Sequence, residues 1–234
     1  MVIPKTFHFI WIGDQLMPDF AKKIIGSWVM KHPSWNLVIW DNKRVEKTFL
    51  KQDSTHFMFN EQAYLDCQIW AQKSDILRYE ILFWFGGVYL DVDVFCFKNI
   101  EDIIKDEKAF TCWSYKPIYC IENAIIGSIP YTKTMWNAIL GAGNGIRHCK
   151  DDVLQSTGPY MLKTIWTNDD NIKKLDHDYF LNHLLINDFL DGNINLSNHP
   201  EIHSVHFCLS SWHSKERYDY QFEKIKKFIK DAYV

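Results

Sequence analysis

The hydrophobic positions near the start of the chain first follow a strand pattern and then a helical one. Residues Phe7–Ile12 form an aromatic and β-branched run that ends at Gly13, which predicts a buried strand. After Pro18, apolar residues recur at helical spacing and stop before Pro33, and Asn36–Trp40 (NLVIW) predicts a second strand. A strand, a helix and a strand within about forty residues indicate a βαβ unit and a mainly parallel sheet.

The next segment predicts two helices and a short strand. Residues 61–72 and 74–85 have helical periodicity, with Ser74 as the N-cap of the second helix and Gly86–Gly87 as its stop. Val88–Leu90 then reads as a strand. Further along, the pattern predicts strands near 109–114, 123–127 and 203–209, and helices near 131–140, 157–166, 177–187 and 216–233. The chain contains no internal repeat and no linker rich in Pro, Gly or Ser, so we expect a single α/β domain over residues 1–234.

Composition and charge narrow the class of protein. With 26 basic and 29 acidic residues, the formal net charge is −3, which argues against a nucleic-acid partner. The six cysteines form no C-x-x-C pair, so we expect reduced and mostly buried thiols. The N-terminus does not resemble a signal peptide, and no apolar run approaches the ~20 residues of a membrane span. We therefore expect a soluble, cytoplasmic protein, while the Lys-rich amphipathic helix at 216–233 leaves peripheral membrane contact open.

Two aspartates follow the third predicted strand in the stretch GGVYLDVDVF at residues 86–95. Side chains at i and i+2 of an extended segment project to one face, so Asp91 and Asp93 repel each other unless a cation lies between them. The end of a buried strand is where α/β sheets place ligands, and paired carboxylates suit Mg²⁺ or Mn²⁺. Such ions keep coordination positions open for phosphates, which points to a nucleoside-diphosphate substrate. The alternative is an ordinary charge pair on an exposed turn.

Four blocks of sequence resemble one enzyme family in content and in order. They read IPKTFHFIWIG near the start, SDILRYEILFWFGGVYLDVDV at 74–94, STGP at 156–159 and HFCLSSW at 206–212. Together they resemble glycosyltransferase family 32, which has a DXD-containing sugar-binding region, and the glucosyltransferase domain of the large clostridial toxins. The last block keeps the His-to-Ser-Trp spacing of HHWAGSW, which is frequent in the family, but its interior differs, so the resemblance does not fix the geometry of that loop.

The resemblance implies roles for individual residues. Catalytic roles fall on Asp75, Arg78, Asp91 and Asp93, and the metal ligands are Asp93, His206 and Asp91. Donor-binding roles fall on Trp11, Asp75, Arg78, Tyr89, Asp91, Ser211 and Trp212. In this assignment Trp11 stacks on the base, Asp75 and Arg78 hold the sugar, Tyr89 reaches the ribose or phosphate region, and Ser211 and Trp212 contact the diphosphate. From the residues alone, Trp11 could be core, His206 could be a satisfied half-buried ring, and Asp75 with Arg78 could be a surface ion pair worth about 0.3–0.5 kcal/mol.

The implied fold is GT-A-like, with a central mixed sheet, a nucleotide-sugar part over about residues 1–100 and an acceptor part over about residues 101–215. The implied reaction is metal-dependent, retaining transfer of a hexose to a hydroxyl of a glycan, lipid or protein. The expected cofactor is Mn²⁺ or Mg²⁺, and the expected donor is a UDP-hexose, with GDP-mannose second. Two alternatives remain: a nucleotide-sugar hydrolase and a non-catalytic module that binds nucleotide sugars or glycans.

Overall fold

The computed structural model describes residues 1–114, 120–181, 190–191, 193, 195, 198–209 and 215–232. The strands are β1 (Thr6–Ile10), β2 (Asn36–Trp40), β3 (Gly87–Leu90), β4 (Val94–Cys96), β5 (Ala109–Cys112), β6 (Ile125–Ser128), β7 (Lys173–Leu175), β8 (Phe180–Leu181) and β9 (Ser204–His206). The helices are α1 (Asp19–Lys31), α2 (Asn42–Val45), α3 (Glu61–Asp66), α4 (Trp70–Phe85), α5 (Glu101–Ile104), α6 (Lys133–Cys149), α7 (Val153–Ser156), α8 (Pro159–Trp166) and α9 (Lys215–Ala232). A π-helical turn at Glu46–Leu50 extends α2, and a 3₁₀ turn spans His177–Tyr179.

A central mixed sheet of six strands has the order β2-β1-β3-β6-β5-β7. Strand β1 pairs in parallel with β2 and with β3, so the predicted βαβ unit is confirmed. Strand β6 runs antiparallel to both β3 and β5. A second sheet of three strands, in the order β4-β9-β8, follows directly from the end of β3. This arrangement is the mixed α/β architecture that the sequence predicts.

Both faces of the central sheet are covered by apolar side chains. On one face, Trp28 of α1 packs with Phe7 and Phe9. On the other face, α4 and α6 pack against the sheet, and they contribute Ile76 and Ala138 to the core. Helix α4 carries buried residues all around its circumference, as expected for a helix enclosed by protein.

The C-terminal helix α9 confirms the predicted amphipathic segment. Its residues Ile225 and Ile229 are fully buried in a third cluster that includes Ile24 of α1. Lys226 and Lys230 of the same helix are exposed. None of the helices in the described part of the chain combines the length and the apolar character that crossing a bilayer requires.

The predicted helix stop at Gly86–Gly87 is confirmed and sets the position of the candidate site. Both glycines have positive φ angles, +62° and +93°. A Cβ atom on Gly87 would lie 2.6 Å from the carbonyl oxygen of Thr6, so a side chain does not fit there. The chain therefore turns sharply from α4 into β3, and the two elements run side by side.

The helix predicted over 61–72 ends at Asp66, and the helix predicted near 131–140 runs from Lys133 to Cys149. Two more predicted helices are wrong in their bounds. Ser74 does not cap a helix, because α4 begins four residues earlier, at Trp70, and continues without a break to Phe85. The segment 177–187 is not a helix at its start, where a 3₁₀ turn is followed by strand β8; residues 182–189 lie outside the described part of the chain. In both places, pairing or packing with distant elements overrides the local periodicity.

Candidate active site

Helix α4 presents an ion pair that is buried inside the protein. Asp75 and Arg78 lie one turn apart, and Arg78 Nη2 is 2.8 Å from Asp75 Oδ1. Their side chains are only 4% and 5% exposed, so the alternative of a surface ion pair is excluded. Asp75 also accepts hydrogen bonds from the side chains of Asn123, at 3.0 Å, and Thr157, at 2.7 Å. Both oxygens of the Asp75 carboxylate are therefore engaged.

Arg78 connects this pair to the DXD segment. Its Nη2 atom lies 3.3 Å from Asp91 Oδ1, and its guanidinium group is 4.3 Å from the centre of the Tyr89 ring. Its Nη1 atom donates to the carbonyl oxygen of Asn123. The Nε atom has no hydrogen-bond partner among the described residues. Arg78 thus contacts both Asp75, which precedes it in the sequence, and Asp91, which follows it.

Burial and charge act against each other at the pair. Burial raises the pKa of Asp75 to about 6, although Arg78 and the hydrogen bond from Thr157 oppose the rise. Burial alone lowers the pKa of Arg78, but the neighbouring Tyr89, Asp91 and Asp75 raise it above its usual value. Arg78 is therefore a permanent positive charge in the interior of the site.

The DXD aspartates lie in a tight turn between β3 and β4. Strand β3 ends at Leu90, and the backbone N–H of Val94 donates to the carbonyl oxygen of Asp91 at 3.1 Å. The prediction that an extended strand aligns Asp91 and Asp93 is therefore wrong in its mechanism, since a turn brings them together. The two carboxylates nevertheless converge, because both face the same imidazole ring.

That ring belongs to His206 at the end of β9. Strands β4 and β9 are antiparallel, and their register pairs Val94 with His206, next to Asp93. His206 Nε2 is 3.4 Å from Asp93 Oδ1 and 3.9 Å from Asp91 Oδ2. The backbone N–H of Leu209 donates to the other Asp93 oxygen at 2.7 Å and holds that carboxylate in place. A late element of the chain thus completes a cluster begun by residues 91–93.

The cluster is suited to a divalent cation. Asp91, Asp93 and His206 each offer one ligand atom, and these atoms all lie within 4.8 Å of one another. Two hard carboxylate oxygens and one imidazole nitrogen form a ligand set that Mn²⁺ accepts, and Mg²⁺ accepts its oxygens. The two carboxylates also repel each other, so a cation between them would lower the free energy of the site.

The second nitrogen of the His206 ring faces other partners. Its Nδ1 atom is 3.3 Å from Cys208 Sγ and 3.6 Å from Glu122 Oε2. Burial alone lowers the pKa of His206, but Cys208 and Asp93 raise it well above its ordinary value. Burial likewise opposes ionisation of Asp93, yet His206 and the N–H of Leu209 lower the pKa of that carboxyl. A proton on His206 and a divalent cation are therefore alternative counter-charges for Asp93.

Trp11 and Tyr89 also lie at this edge of the sheet. Trp11 directly follows β1, which runs parallel to β3 in a register that pairs Phe7 with Val88, so Trp11 emerges beside the DXD turn. Its ring is half-buried, and its Nε1 atom donates to the carbonyl oxygen of Gln15 at 2.8 Å. Trp11 is therefore not a core tryptophan. Tyr89 is buried, and its hydroxyl donates to Asp91 Oδ1 at 2.5 Å.

The structure brings six predicted site residues into one connected cluster and places Trp11 near it. The six are Asp75, Arg78, Tyr89, Asp91, Asp93 and His206. Two further predicted residues, Ser211 and Trp212, lie outside the described residues.

Three residues of the site were missed by the sequence analysis: Glu122, Asn123 and Thr157. Leu90 pairs with Ile125 in the antiparallel β3–β6 ladder, so the residues just before β6 meet those just after β3. A polar Glu-Asn pair directly before a buried strand was a usable signal, but its meaning depends on that pairing. Thr157 lies in the STGP block, which was noticed as a resemblance without any role for its hydroxyl group.

Comparison with known proteins agrees with this geometry. Residues 18–110 match the family model described as a glycosyltransferase sugar-binding region containing a DXD motif. The chain is 34% identical over 135 residues to an uncharacterized glycosyltransferase of Acanthamoeba polyphaga mimivirus, which covers 55% of this chain and 51% of that protein. It is 29% identical over 121 residues to inositol phosphoceramide mannosyltransferase 1 of Schizosaccharomyces pombe, covering 50% of this chain and 35% of the relative. The chain thus matches about half or less of the length of these relatives.

Solved structures share the fold at low sequence identity. The PaToxG glycosyltransferase superposes with a TM-score of 0.55 at 21% identity, covering 69% of this chain and 68% of that one. The UDP-bound glycosyltransferase domain of the YGT toxin superposes with a TM-score of 0.52 at 12% identity, covering 74% and 79%. These neighbours establish a GT-A fold, and the DXD aspartates lie within the matched region. Residues 18–110 are therefore similar to the glycosyltransferase family that carries the DXD-containing sugar-binding region, and the fold is that of GT-A glycosyltransferases.

Proposed function

We propose that this chain is a metal-dependent, retaining glycosyltransferase that moves a hexose from a nucleoside-diphosphate sugar to a hydroxyl group. The acceptor is a glycan, a lipid or a protein. The observation that carries the proposal is the contact between two charged groups of the site. Arg78 of the buried sugar-binding pair lies 3.3 Å from Asp91 of the Asp91–Asp93–His206 cluster, so a diphosphate bound at the cluster would place its sugar beside Asp75 and Arg78.

In this proposal Asp93, His206 and Asp91 hold the divalent cation. When bound, the cation supplies positive charge against the departing diphosphate. Arg78 adds a fixed positive charge on the sugar side, since its position is set by Asp75, Asp91 and the Asn123 carbonyl. Trp11 offers an aromatic face to the base, and Tyr89 holds Asp91 by a hydrogen bond. Ser211 and Trp212 are proposed as contacts of the diphosphate.

Asp75 is proposed to orient the sugar rather than to attack it. Both of its oxygens already accept hydrogen bonds, and Arg78 neutralises its charge, so it is a poor nucleophile. The proposed step is therefore direct. The bond between the sugar C1 and the diphosphate oxygen breaks, the acceptor oxygen bonds to C1 on the same face, and the acceptor proton passes to the departing diphosphate. Retention of configuration follows from this same-face exchange.

We propose a UDP-hexose as the donor and GDP-mannose as the second choice. The YGT toxin domain of similar fold was solved with UDP bound, which favours a uridine nucleotide. The fission-yeast relative is a mannosyltransferase that acts on inositol phosphoceramide, which keeps mannose and a lipid headgroup hydroxyl among the candidates. Calorimetric titration of UDP and GDP in the presence of Mn²⁺ separates the two donors, and tighter GDP binding would reverse this choice.

The test of the activity is a screen of nucleotide sugars with Mn²⁺, in which the released nucleoside diphosphate is measured with and without a panel of sugar and inositol-lipid acceptors. We expect release that requires a divalent cation, with Mn²⁺ at least as effective as Mg²⁺ because the ligand set includes a nitrogen. Full activity in excess chelator would contradict the metal dependence. Equal release without any acceptor would identify a hydrolase, and no release with any donor would favour a binding module.

A further inference from the structure

The imidazole of His206 has a polar partner on each of its two ring nitrogens. On the Nε2 side lie Asp93, at 3.4 Å, and Asp91, at 3.9 Å. On the Nδ1 side lie Cys208 Sγ, at 3.3 Å, and Glu122 Oε2, at 3.6 Å. The ring therefore has polar contacts on both sides, and the proposed function uses only those on the Nε2 side.

The Nδ1 side decides whether Nε2 can bind a cation. A neutral imidazole carries one proton and one free lone pair, so a cation on Nε2 requires the proton to be on Nδ1. That Nδ1–H group then needs an acceptor, and a carboxylate in this position fixes both the tautomer and the orientation of the ring. Of the two neighbours, the sulfur of Cys208 is a weak acceptor and the carboxylate of Glu122 is a strong one.

Hydrogen bonds of its own backbone hold Glu122 in this position. Its N–H donates to the carbonyl oxygen of Cys112 at 2.9 Å, and its own carbonyl oxygen accepts from Thr111 Oγ1 at 2.6 Å. Both partners belong to β5 of the central sheet. The next residue, Asn123, binds Asp75 and Arg78. One short segment therefore contacts both the sugar-binding pair and the histidine of the metal cluster.

We propose that Glu122 is a positioning residue, which accepts the Nδ1–H of His206 and thereby directs the Nε2 lone pair towards the cation between Asp91 and Asp93. The proposal rests on the metal site of the proposed function. Glu122 does not belong to the cluster of ligand atoms that lie within 4.8 Å of one another, so it acts through the ring. The separation of 3.6 Å slightly exceeds a hydrogen bond, and we expect it to shorten when a cation on Nε2 makes the Nδ1 proton more acidic.

The experiment measures Mn²⁺ binding without any nucleotide sugar, by electron paramagnetic resonance of the free ion, in the full chain. We expect Glu122→Ala to weaken Mn²⁺ binding by about 10–100-fold, the usual effect of removing the partner of a metal-bound histidine. Glu122→Gln should lose less, because its amide oxygen can still accept the Nδ1 proton. The matched control is Glu101→Gln, since the Glu101 carboxylate bonds Lys5 and Trp35 away from the site, and its affinity should equal that of the wild type.

A second readout follows the tautomer of His206 directly, by ¹⁵N NMR of the histidine side chains in the protein loaded with Zn²⁺, a diamagnetic ion that accepts an imidazole nitrogen. We expect the proton on Nδ1 in the wild type and in Glu122→Gln. Unchanged Mn²⁺ affinity in Glu122→Ala, or a proton on Nε2 in the loaded wild type, would overturn the proposal. If Glu122→Ala does not fold, unchanged Mn²⁺ affinity in Glu122→Gln together with an Nε2 proton would overturn it equally.

This inference and the proposed function fail in different ways. Neither readout contains a sugar donor, so a wild type that binds Mn²⁺ with the expected tautomer but releases no diphosphate would refute the transferase and leave Glu122 in its role. A wild type that transfers hexose with Mn²⁺, while Glu122→Ala binds Mn²⁺ normally, would refute the role of Glu122 alone. A wild type that binds no Mn²⁺ would refute both the role of Glu122 and the metal dependence.

Discussion

The candidate site consists of two halves whose charges are matched in different ways. The half proposed to bind the donor, called the donor half, is Asp75, Arg78, Asn123 and Thr157. The half proposed to bind the metal, called the metal half, is Asp91, Asp93, His206 and Glu122. In the donor half the contacts of Asp75 measure 2.7–3.0 Å, and the two charged side chains are at most 5% exposed. In the metal half the contacts of the His206 ring with carboxylates measure 3.4–3.9 Å, and the side chains are 12–26% exposed.

Because of this difference, we expect the donor half to contribute mainly to stability and the metal half mainly to activity. In the donor half the charge and both oxygens of Asp75 are matched, because its carboxylate faces the Arg78 guanidinium and accepts from Asn123 and Thr157. This half is therefore part of the folded core, and breaking it leaves a buried charge without a partner. The metal half brings three carboxylates around one imidazole, so it is strained by repulsion until positive charge enters. Removing a carboxylate there should affect ligand binding more than folding.

The largest expected effect is the loss of turnover in Asp93→Asn. The amide has the shape of the carboxylate and its oxygen can still accept from the N–H of Leu209, so the fold should be retained, while half of the negative charge between Asp91 and Asp93 is lost. We expect turnover to fall by more than about 10³-fold, beyond the effect of losing one preorganised electrostatic group. Turnover and urea midpoint are measured on one preparation, with the exposed Asp19→Asn as control. Near-normal turnover would remove Asp93 from the metal site.

A second, smaller effect concerns the free energy of unfolding, which should depend on the donor half. Replacing Arg78 with Met preserves bulk but leaves Asp75 buried without its cation, which should lower the free energy of unfolding by about 3–5 kcal/mol. The double variant Asp75→Asn/Arg78→Met should recover a large part of this loss, because no buried charge then remains at the pair. Urea unfolding of the four proteins forms a double-mutant cycle. A single variant within about 1 kcal/mol of the wild type would show that the pair is not part of the stable core.

The sequence predicted those parts of the site that are local along the chain. Asp91 and Asp93 are two residues apart, and Asp75 and Arg78 are three residues apart. The sequence spacing alone therefore shows that the members of each pair are neighbours. The order of β1, α1 and β2 was likewise visible from periodicity. Even here the mechanism differed, because a turn and not an extended strand brings Asp91 and Asp93 together.

The parts that were missed depend on contacts between distant segments. Asn123 reaches Asp75 across 48 positions, and Thr157 reaches it across 82. Glu122 meets His206 only because β6 pairs with β3 while β9 pairs with β4. The periodicity of a single sequence does not reveal which strands pair or in which register. Distant contacts also explain the missed start of α4, since the buried side chain of Gln72 donates to the carbonyl oxygen of Lys150 and to Ser156 Oγ.

The smallest expected effect concerns Glu80, the second buried carboxylate on α4 besides Asp75. Glu80 is fully buried, and its Oε1 atom accepts from the backbone N–H of Asn60 at 3.0 Å. Its Oε2 atom has no hydrogen-bond partner within the described part of the chain. Burial raises the pKa of Glu80 from 4.5 to about 7, and only the backbone N–H groups of Asn60 and Phe59 oppose the rise. Asp75 has Arg78 beside it, whereas Glu80 forms no ion pair within the described residues.

The free energy of unfolding should therefore depend on pH through the ionisation of Glu80. Below about pH 4.5 the group is protonated in both states and has no effect, but between pH 4.5 and 7 the folded state retains a proton that the unfolded state has lost. Stability therefore decreases as pH rises through this window, by about 3 kcal/mol in total, and is constant with respect to this group above it. Glu80→Gln, which cannot ionise, should remove that decrease in urea unfolding measured from pH 4.5 to 8. Glu101→Gln is the control, because hydrogen bonds from Lys5 and Trp35 lower the pKa of Glu101, so the stabilisation by its ionised form develops below about pH 5 and is constant above it. This variant should lower the free energy of unfolding without changing its slope between about pH 5 and 8. Parallel profiles for the wild type and Glu80→Gln would mean that Glu80 is already compensated in the folded state.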